Sequence, residues 1–202
     1  MQGLQENNIL ACAKHFPGHG DTDKDSHKTL PVINHSSYRL KKVELKPFDY
    51  LIKNGLGSIM TAHLFIPSLD DKDKTPISLS KKVVDGLLTK EMGFKGLKFT
   101  DGLNMKAVSD LYDPGYLDVQ ALIAGNDVLL CAQDVPRAVK MIKKSINDGL
   151  LSENDINEKC RKILIAKKWM GLDDYKPLNI DVISDSLITN NTCLLYTSDA
   201  AD

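Results

Sequence analysis

Apolar residues recur along this chain in two alternating rhythms. Residues 9–13 form a short apolar run of strand length. Leu40, Val43, Phe48, Leu51 and Ile52 then fall at near-helical spacing within 40–53, and Gly55 stands where a helix end favours a left-handed residue. Residues 58–62 predict the next strand, ending at His63. Ser80 can cap a helix carrying Val83, Val84, Leu87, Leu88 and Met92, which Gly93 closes. Residues 97–100 predict a third strand, ending at Asp101. A helix over 117–124 leads through Gly125 into a fourth strand, 127–131. Two helices follow, 135–148 and 154–170, the second opened by Ser152 with Asp155 three residues on, as in a capping box.

Strands that alternate with helices pair in parallel through right-handed crossovers. An open doubly wound sheet and a closed (β/α)8 barrel both fit that alternation. The polar residues favour the barrel, because His15, His63 and Asp101 fall at the C-terminal ends of successive strands, where barrel enzymes gather their catalytic groups. A full barrel takes roughly 250 residues and eight units, and only four units are legible here. The expected fold is therefore α/β, the C-terminal half of a TIM-type (β/α)8 barrel. Residues 1–172 are expected to be a partial barrel domain, with 173–191 a linker. The first residues read like the exit of a preceding helix, so a first half-barrel and a downstream domain are expected in cis. Residues 192–202 resemble a translated sequencing adapter and are expected to be a non-native tail.

Composition narrows the partners. Charged residues make up 26% of the 202, of both signs and interspersed, for a net charge of −1. That argues against a nucleic-acid surface or a polybasic membrane surface and leaves neutral or small polar substrates open. No apolar run approaches the roughly 18 residues a membrane span requires. The four cysteines form no CxxC pair, and the apolar neighbours of Cys12, Cys131 and Cys160 predict buried free thiols. Compartment is not legible.

The densest chemistry lies between Lys14 and Pro31, where three histidines and three aspartates share one Gly/Pro-punctuated segment. Three readings fit it. His15, His19 and His27 with the aspartates could hold a metal, yet there is no HExxH pair, and an EF-hand would need glycine at Ser26 and glutamate at Val32. The segment could be a solvated loop whose histidines only cap and bridge. Or Asp25 and His27, two apart and on one side of an extended chain, could form an acid/base dyad in which the carboxylate orients the imidazole.

The runs KHFPGHGDTDKDSHKTLP, MTAHL (60–64) and FTDGLNM (99–105) resemble glycoside hydrolase family 3, and within it the β-N-acetylglucosaminidase branch. The resemblance covers residues 2–172. It implies a TIM-like barrel whose second half is seen here. It implies Asp101 as catalytic nucleophile, His27 as acid/base with Asp25 as dyad partner, Lys14 and His15 as ligands of sugar hydroxyls, and His63 lining the pocket. Gly102 is a minor departure from the acidic or similar residue that relatives carry after the nucleophile. Asn104 and Met105 are expected to pack under the pocket, and Trp169 to be core or a domain contact rather than a sugar platform. The implied reaction is retaining exo-hydrolysis of terminal β-linked N-acetylglucosamine from muropeptides or chitooligosaccharides, with no cofactor and no metal. A histidine with a pKa near 6.5 can act first as acid and then as base. A neutral imidazole also repels an anionic acceptor less than a carboxylate does, so phosphate could replace water. Two rival expectations are a β-glucosidase of the same family and a catalytically incompetent partial chain.

Overall fold

The computed structural model describes residues 1–22 and 29–177. Two compact units are present, residues 1–170 and 171–202. The described part of the second, 171–177, holds a short 3₁₀ turn at Leu172–Asp174.

The first unit is built on four parallel strands in sequential order: β1 Cys12–Phe16, β2 Ser58–Thr61, β3 Leu97–Gly102 and β4 Val128–Leu130. This is half the strand complement of a (β/α)8 barrel. Register between β2 and β3 is unbroken from Ser58 opposite Leu97 to Thr61 opposite Thr100. Both outer pairings are irregular, between Ala13 and Phe16 and between Phe99 and Gly102. The irregularities fall at the C-terminal ends, beside the polar residues.

Three sequence expectations shift. β1 begins at Cys12 rather than residue 9, because Ile9 is exposed and its N–H bonds back to the Leu4 carbonyl. Lys14 and His15 consequently lie on the strand itself. The helix expected over 40–53 is two helices, Ser37–Lys42 and Lys46–Lys53. Ser36 caps the first through Arg39 N, and Pro47, which cannot continue an existing helix ladder, sits in the first turn of the second. Between them Glu44 turns inward. The helix after Ser80 runs over Lys82–Glu91 with wide, π-type turns, and Met92 N reaches back five residues to the Leu87 carbonyl.

The last two helices are Val135–Asn147 and Glu153–Trp169. Ser152 and Asp155 make the expected reciprocal cap, at 3.0 and 3.2 Å. The main core packs Phe16, Ile59, Leu64, Val83 and Leu88 between sheet and helices, with Phe16 edge-on to Phe48 at 5.2 Å. Fully burying a side chain such as Phe16 contributes about 1.5–3 kcal/mol. A second cluster, Leu103, Val108, Leu117 and Ala121, lies beneath the chain that leaves β3.

Cys12, Cys131 and Cys160 are free but exposed, not buried. Apolar neighbours in sequence did not bring burial, since alternate strand residues and the outward face of a helix point to solvent. Trp169 is 43% exposed and therefore not core. It borders a cleft with Gly57, Gly96 and Leu97, at the N-terminal ends of β2 and β3 and away from the sugar motifs. Among the described residues no helix is long and apolar enough to cross a membrane.

Candidate active site

Asp101 is the next-to-last residue of β3, at the end of the sheet where the strands run out. Leu97, Lys98 and Thr100 are buried along the body of the strand, and Asp101 and Gly102 emerge half-buried at its end. The carboxylate is clamped on one side only: Oδ1 accepts a hydrogen bond from Gly102 N at 2.9 Å. Oδ2 lies 3.7 Å from His15 Nε2, and the Asp101 side chain is 16% exposed. Asp101, Asn104, Met105, Lys106, Leu130 and Cys131 line a cleft of about 470 Å³. Met105 packs beneath it as expected, whereas Asn104 is exposed at its rim.

His15 reaches this end of the sheet from β1, one strand further from Asp101 than β2. Burial lowers its pKa, with the Asp101 charge opposing. The neutral imidazole is thus favoured, and the 3.7 Å approach is an ion pair only when His15 is protonated. His19, from the turn after β1, meets the His15 ring edge-to-face at 5.8 Å and is itself held by the Thr22 hydroxyl at 2.8 Å. Lys14 is exposed on β1 beside His15.

His63 follows β2 and stands apart from the pocket-lining place expected for it. The residue is fully buried. Its Nε2 lies 3.0 Å from the Gly102 carbonyl and its Nδ1 2.7 Å from the Ser78 hydroxyl. A carbonyl can only accept, so Nε2 carries the proton and Nδ1 accepts from Ser78. Burial lowers the His63 pKa, partly countered by Asp101, which agrees with that neutral tautomer. Because both nitrogens are used and none of its surface is open, His63 has no group left for a sugar.

The structure thus brings together Asp101, His15 and, through Gly102, His63. Asp25 and His27, the expected dyad, lie outside the described residues. Ser78 was not singled out by sequence, since one serine in PISLS carries no motif. His19 was visible only as one of a histidine cluster.

A second polar cluster begins at the root of the same segment. His35 Nε2 lies 2.6 Å from Asp21 Oδ2, and Arg39 bridges Asp21 at 3.5 Å and the buried Glu44 carboxylate at 3.1 Å. Asp21, His35 and Glu44 offer ligand atoms within 4.8 Å of one another. The Arg39 guanidinium already supplies the positive charge between the two carboxylates, so the set reads as an ion-pair network.

Residues 1–166 match the glycosyl hydrolase family 3 N-terminal domain. A beta-hexosaminidase of Methylobacillus flagellatus is 37% identical over 134 residues, which are 66% of this chain and 38% of that protein. Beta-hexosaminidase A of Pseudoalteromonas piscicida is 34% identical over 140 residues, 64% of this chain and 23% of its own length. The chain therefore spans well under two thirds of these relatives. Among solved structures, the family 3 β-N-acetylglucosaminidase of Paenibacillus sp. superposes with a TM-score of 0.87 at 35% identity, over 95% of this chain and 36% of that one. A beta-glucoside phosphorylase, BglX, superposes with a TM-score of 0.80 at 26% identity, over 87% of this chain and 33% of its own. The four parallel strand–helix units accordingly form part of a TIM-type barrel, and the chain belongs to glycosyl hydrolase family 3, within its N-terminal domain.

Proposed function

We propose that the protein to which this chain belongs is a retaining exo-β-N-acetylglucosaminidase, acting on terminal non-reducing residues of muropeptides or chitooligosaccharides. The observation that carries this reading is Asp101: a strand-end carboxylate with one oxygen clamped by a backbone N–H and the other turned towards a histidine and an open cleft. The relatives named beta-hexosaminidase support the substrate class.

In the first step Asp101 Oδ2 attacks the anomeric carbon, the bond from that carbon to the aglycone oxygen breaks, and protonated His27 gives its proton to the departing oxygen. In the second step neutral His27 takes a proton from water, the water oxygen attacks the same carbon, and the Asp101–sugar bond breaks. Asp25 stabilises the imidazolium of His27. Lys14 and His15 hold sugar hydroxyls, and a neutral His15 can either donate or accept there. His63 is assigned no contact with substrate.

Nitrophenyl β-N-acetylglucosaminide hydrolysis by the full-length enzyme, with Asp101→Asn and His27→Ala beside it, tests the assignment. Both variants should lose most turnover. Normal turnover in Asp101→Asn would overturn the nucleophile, and faster cleavage of the glucoside would overturn the branch. One observation favours a second acceptor: the fold is shared with a beta-glucoside phosphorylase. If phosphate replaces water in the second step, added phosphate raises the rate and yields the sugar 1-phosphate; unchanged products exclude it.

A further inference from the structure

Gly102 presents a physical problem at this site. It directly follows the proposed nucleophile and supplies the N–H that holds Asp101 Oδ1. Yet glycine is the residue least able to hold its own backbone angles. A carboxylate anchored to a free glycine would swing with it. Within the segment Met105 N donates to the Gly102 carbonyl at 3.0 Å, and a second donor reaches the same oxygen from outside it.

The outside hold is a relay of buried hydrogen bonds. The Gly102 carbonyl accepts from His63 Nε2 at 3.0 Å. His63 Nδ1 accepts from the Ser78 hydroxyl at 2.7 Å. The Ser78 carbonyl accepts from Asn126 Nδ2 at 2.7 Å, and Asn126 Oδ1 accepts from the Thr61 hydroxyl at 2.9 Å. Thr61, His63, Ser78 and Asn126 are all fully buried. The Gly102 carbonyl can only accept and the Ser78 hydroxyl donates to the other ring nitrogen, so the His63 ring has a single tautomer. Thr61 Oγ1 also reaches the Phe99 carbonyl at 3.1 Å and Asn126 Nδ2 the Ala121 carbonyl at 2.8 Å, which tie the relay to β3 and the helix before β4. On the other side of the glycine, Leu103 N donates to the Leu130 carbonyl of β4 at 2.9 Å. Gly102 is therefore pinned from β2 through its carbonyl, and its successor is pinned from β4.

We infer that His63, held by Ser78 and Asn126, is a positioning residue for the nucleophile: it locks the Gly102 peptide and through it the reach of the Asp101 carboxylate into the cleft. This rests on the assignment of Asp101 as nucleophile. It replaces a substrate-contacting role for His63 with one exerted through the backbone. Gln at position 63 can still donate to the Gly102 carbonyl, whereas Phe keeps the bulk of the ring and loses both hydrogen bonds.

The test compares His63→Phe, His63→Gln and Ser78→Ala in the full-length enzyme, with Asp101→Asn as reference. Three quantities are read: kcat and KM on the nitrophenyl N-acetylglucosaminide, the rate at which a fluorinated, slowly released glycosyl fluoride labels Asp101, and Tm. Misplacing a reacting group by about 1 Å costs about 100-fold in rate. His63→Phe should lower kcat and the labelling rate together by about 10- to 100-fold, with KM changed less than about threefold. His63→Gln should restore most of both, and Ser78→Ala should fall between them. Should His63→Phe fail to fold, Ser78→Ala and His63→Gln decide alone. The inference fails if kcat and labelling stay within twofold while only Tm drops, or if KM carries the whole effect. If Asp101→Asn is as active as the parent, the nucleophile assignment fails and the inference with it; if Asp101→Asn is inactive and the His63 and Ser78 variants are silent, only the inference fails.

Discussion

Asp101 and Asp127 stand at opposite ends of the sheet and are treated in opposite ways. Asp127 directly precedes β4 at its N-terminal end, and its side chain is only 3% exposed. Its Oδ2 takes both the Lys162 ammonium, at 2.6 Å, and the Lys98 backbone N–H, at 2.9 Å. Lys98, buried in turn, donates from Nζ to the Thr89 hydroxyl, and burial pushes its ammonium down to about 8 against the pull of Asp127. Asp101 has one backbone N–H, a histidine beyond hydrogen-bond reach and an open cleft. A carboxylate whose oxygens are spent on fixed cations and amides holds a fold together. One left partly unpartnered at a strand's C-terminal end can still form a bond with something else. This matches the division of barrels into a reactive face and a stabilising face.

Exchange of each aspartate for asparagine is the sharpest way to break that comparison. Asp101→Asn is expected to lower kcat by about three orders of magnitude or more while Tm stays within a few degrees. Asp127→Asn leaves Lys162 without its partner and is expected to cost about 3 kcal/mol in denaturant unfolding, with kcat of the folded fraction unchanged. A large kcat effect from Asp127, or a large Tm loss from Asp101, would dissolve the distinction.

Acid should separate the two ends next. Burial lowers the pKa of both His15 and His63. The unfolded chain therefore takes up their protons near its ordinary histidine pKa of about 6.5, while the folded chain resists. Below that value the unfolded state binds more protons, so stability falls as pH drops from about 7 towards the lowered folded values, and it is fully present only above about 6.5. Unfolding free energies at pH 7 and pH 5 measure the slope, and His63→Gln should flatten it. An unchanged slope in that variant would remove His63 as a source. The smallest effect belongs to a helix cap at the same end of the sheet as Asp127. Ser152→Ala removes one half of the reciprocal cap on Glu153–Trp169 and should cost about 1 kcal/mol with no change in activity.

Much of the chemistry was legible in the sequence because it lies in contiguous motifs. β2, β3 and β4 lie within two residues of their expected bounds, since a buried strand announces itself as an apolar run. β1 was misplaced because its C-terminal half holds the polar Lys14 and His15, which an apolar run does not announce. The break at Glu44 was masked by helical spacing that continued through it. His63 was visible, but not its role. The Ser78 hydroxyl and the Gly102 carbonyl that define that role lie 15 and 39 residues away, and only the folded chain brings them to the ring.

Asn126 makes that dependence on distant segments concrete. Its side chain bonds Thr61 and Ser78, 65 and 48 residues earlier in sequence, and its carbonyl accepts from Lys159, 33 residues later. Closing such long loops is entropically unfavourable and slow, so contacts of this separation form late in folding. Once formed they are fully buried, so the amides that meet at Asn126 should be among the last to exchange with solvent, opening only with the whole unit. Residues strung over nearly a hundred positions would thus reach one shared arrangement in a single cooperative step.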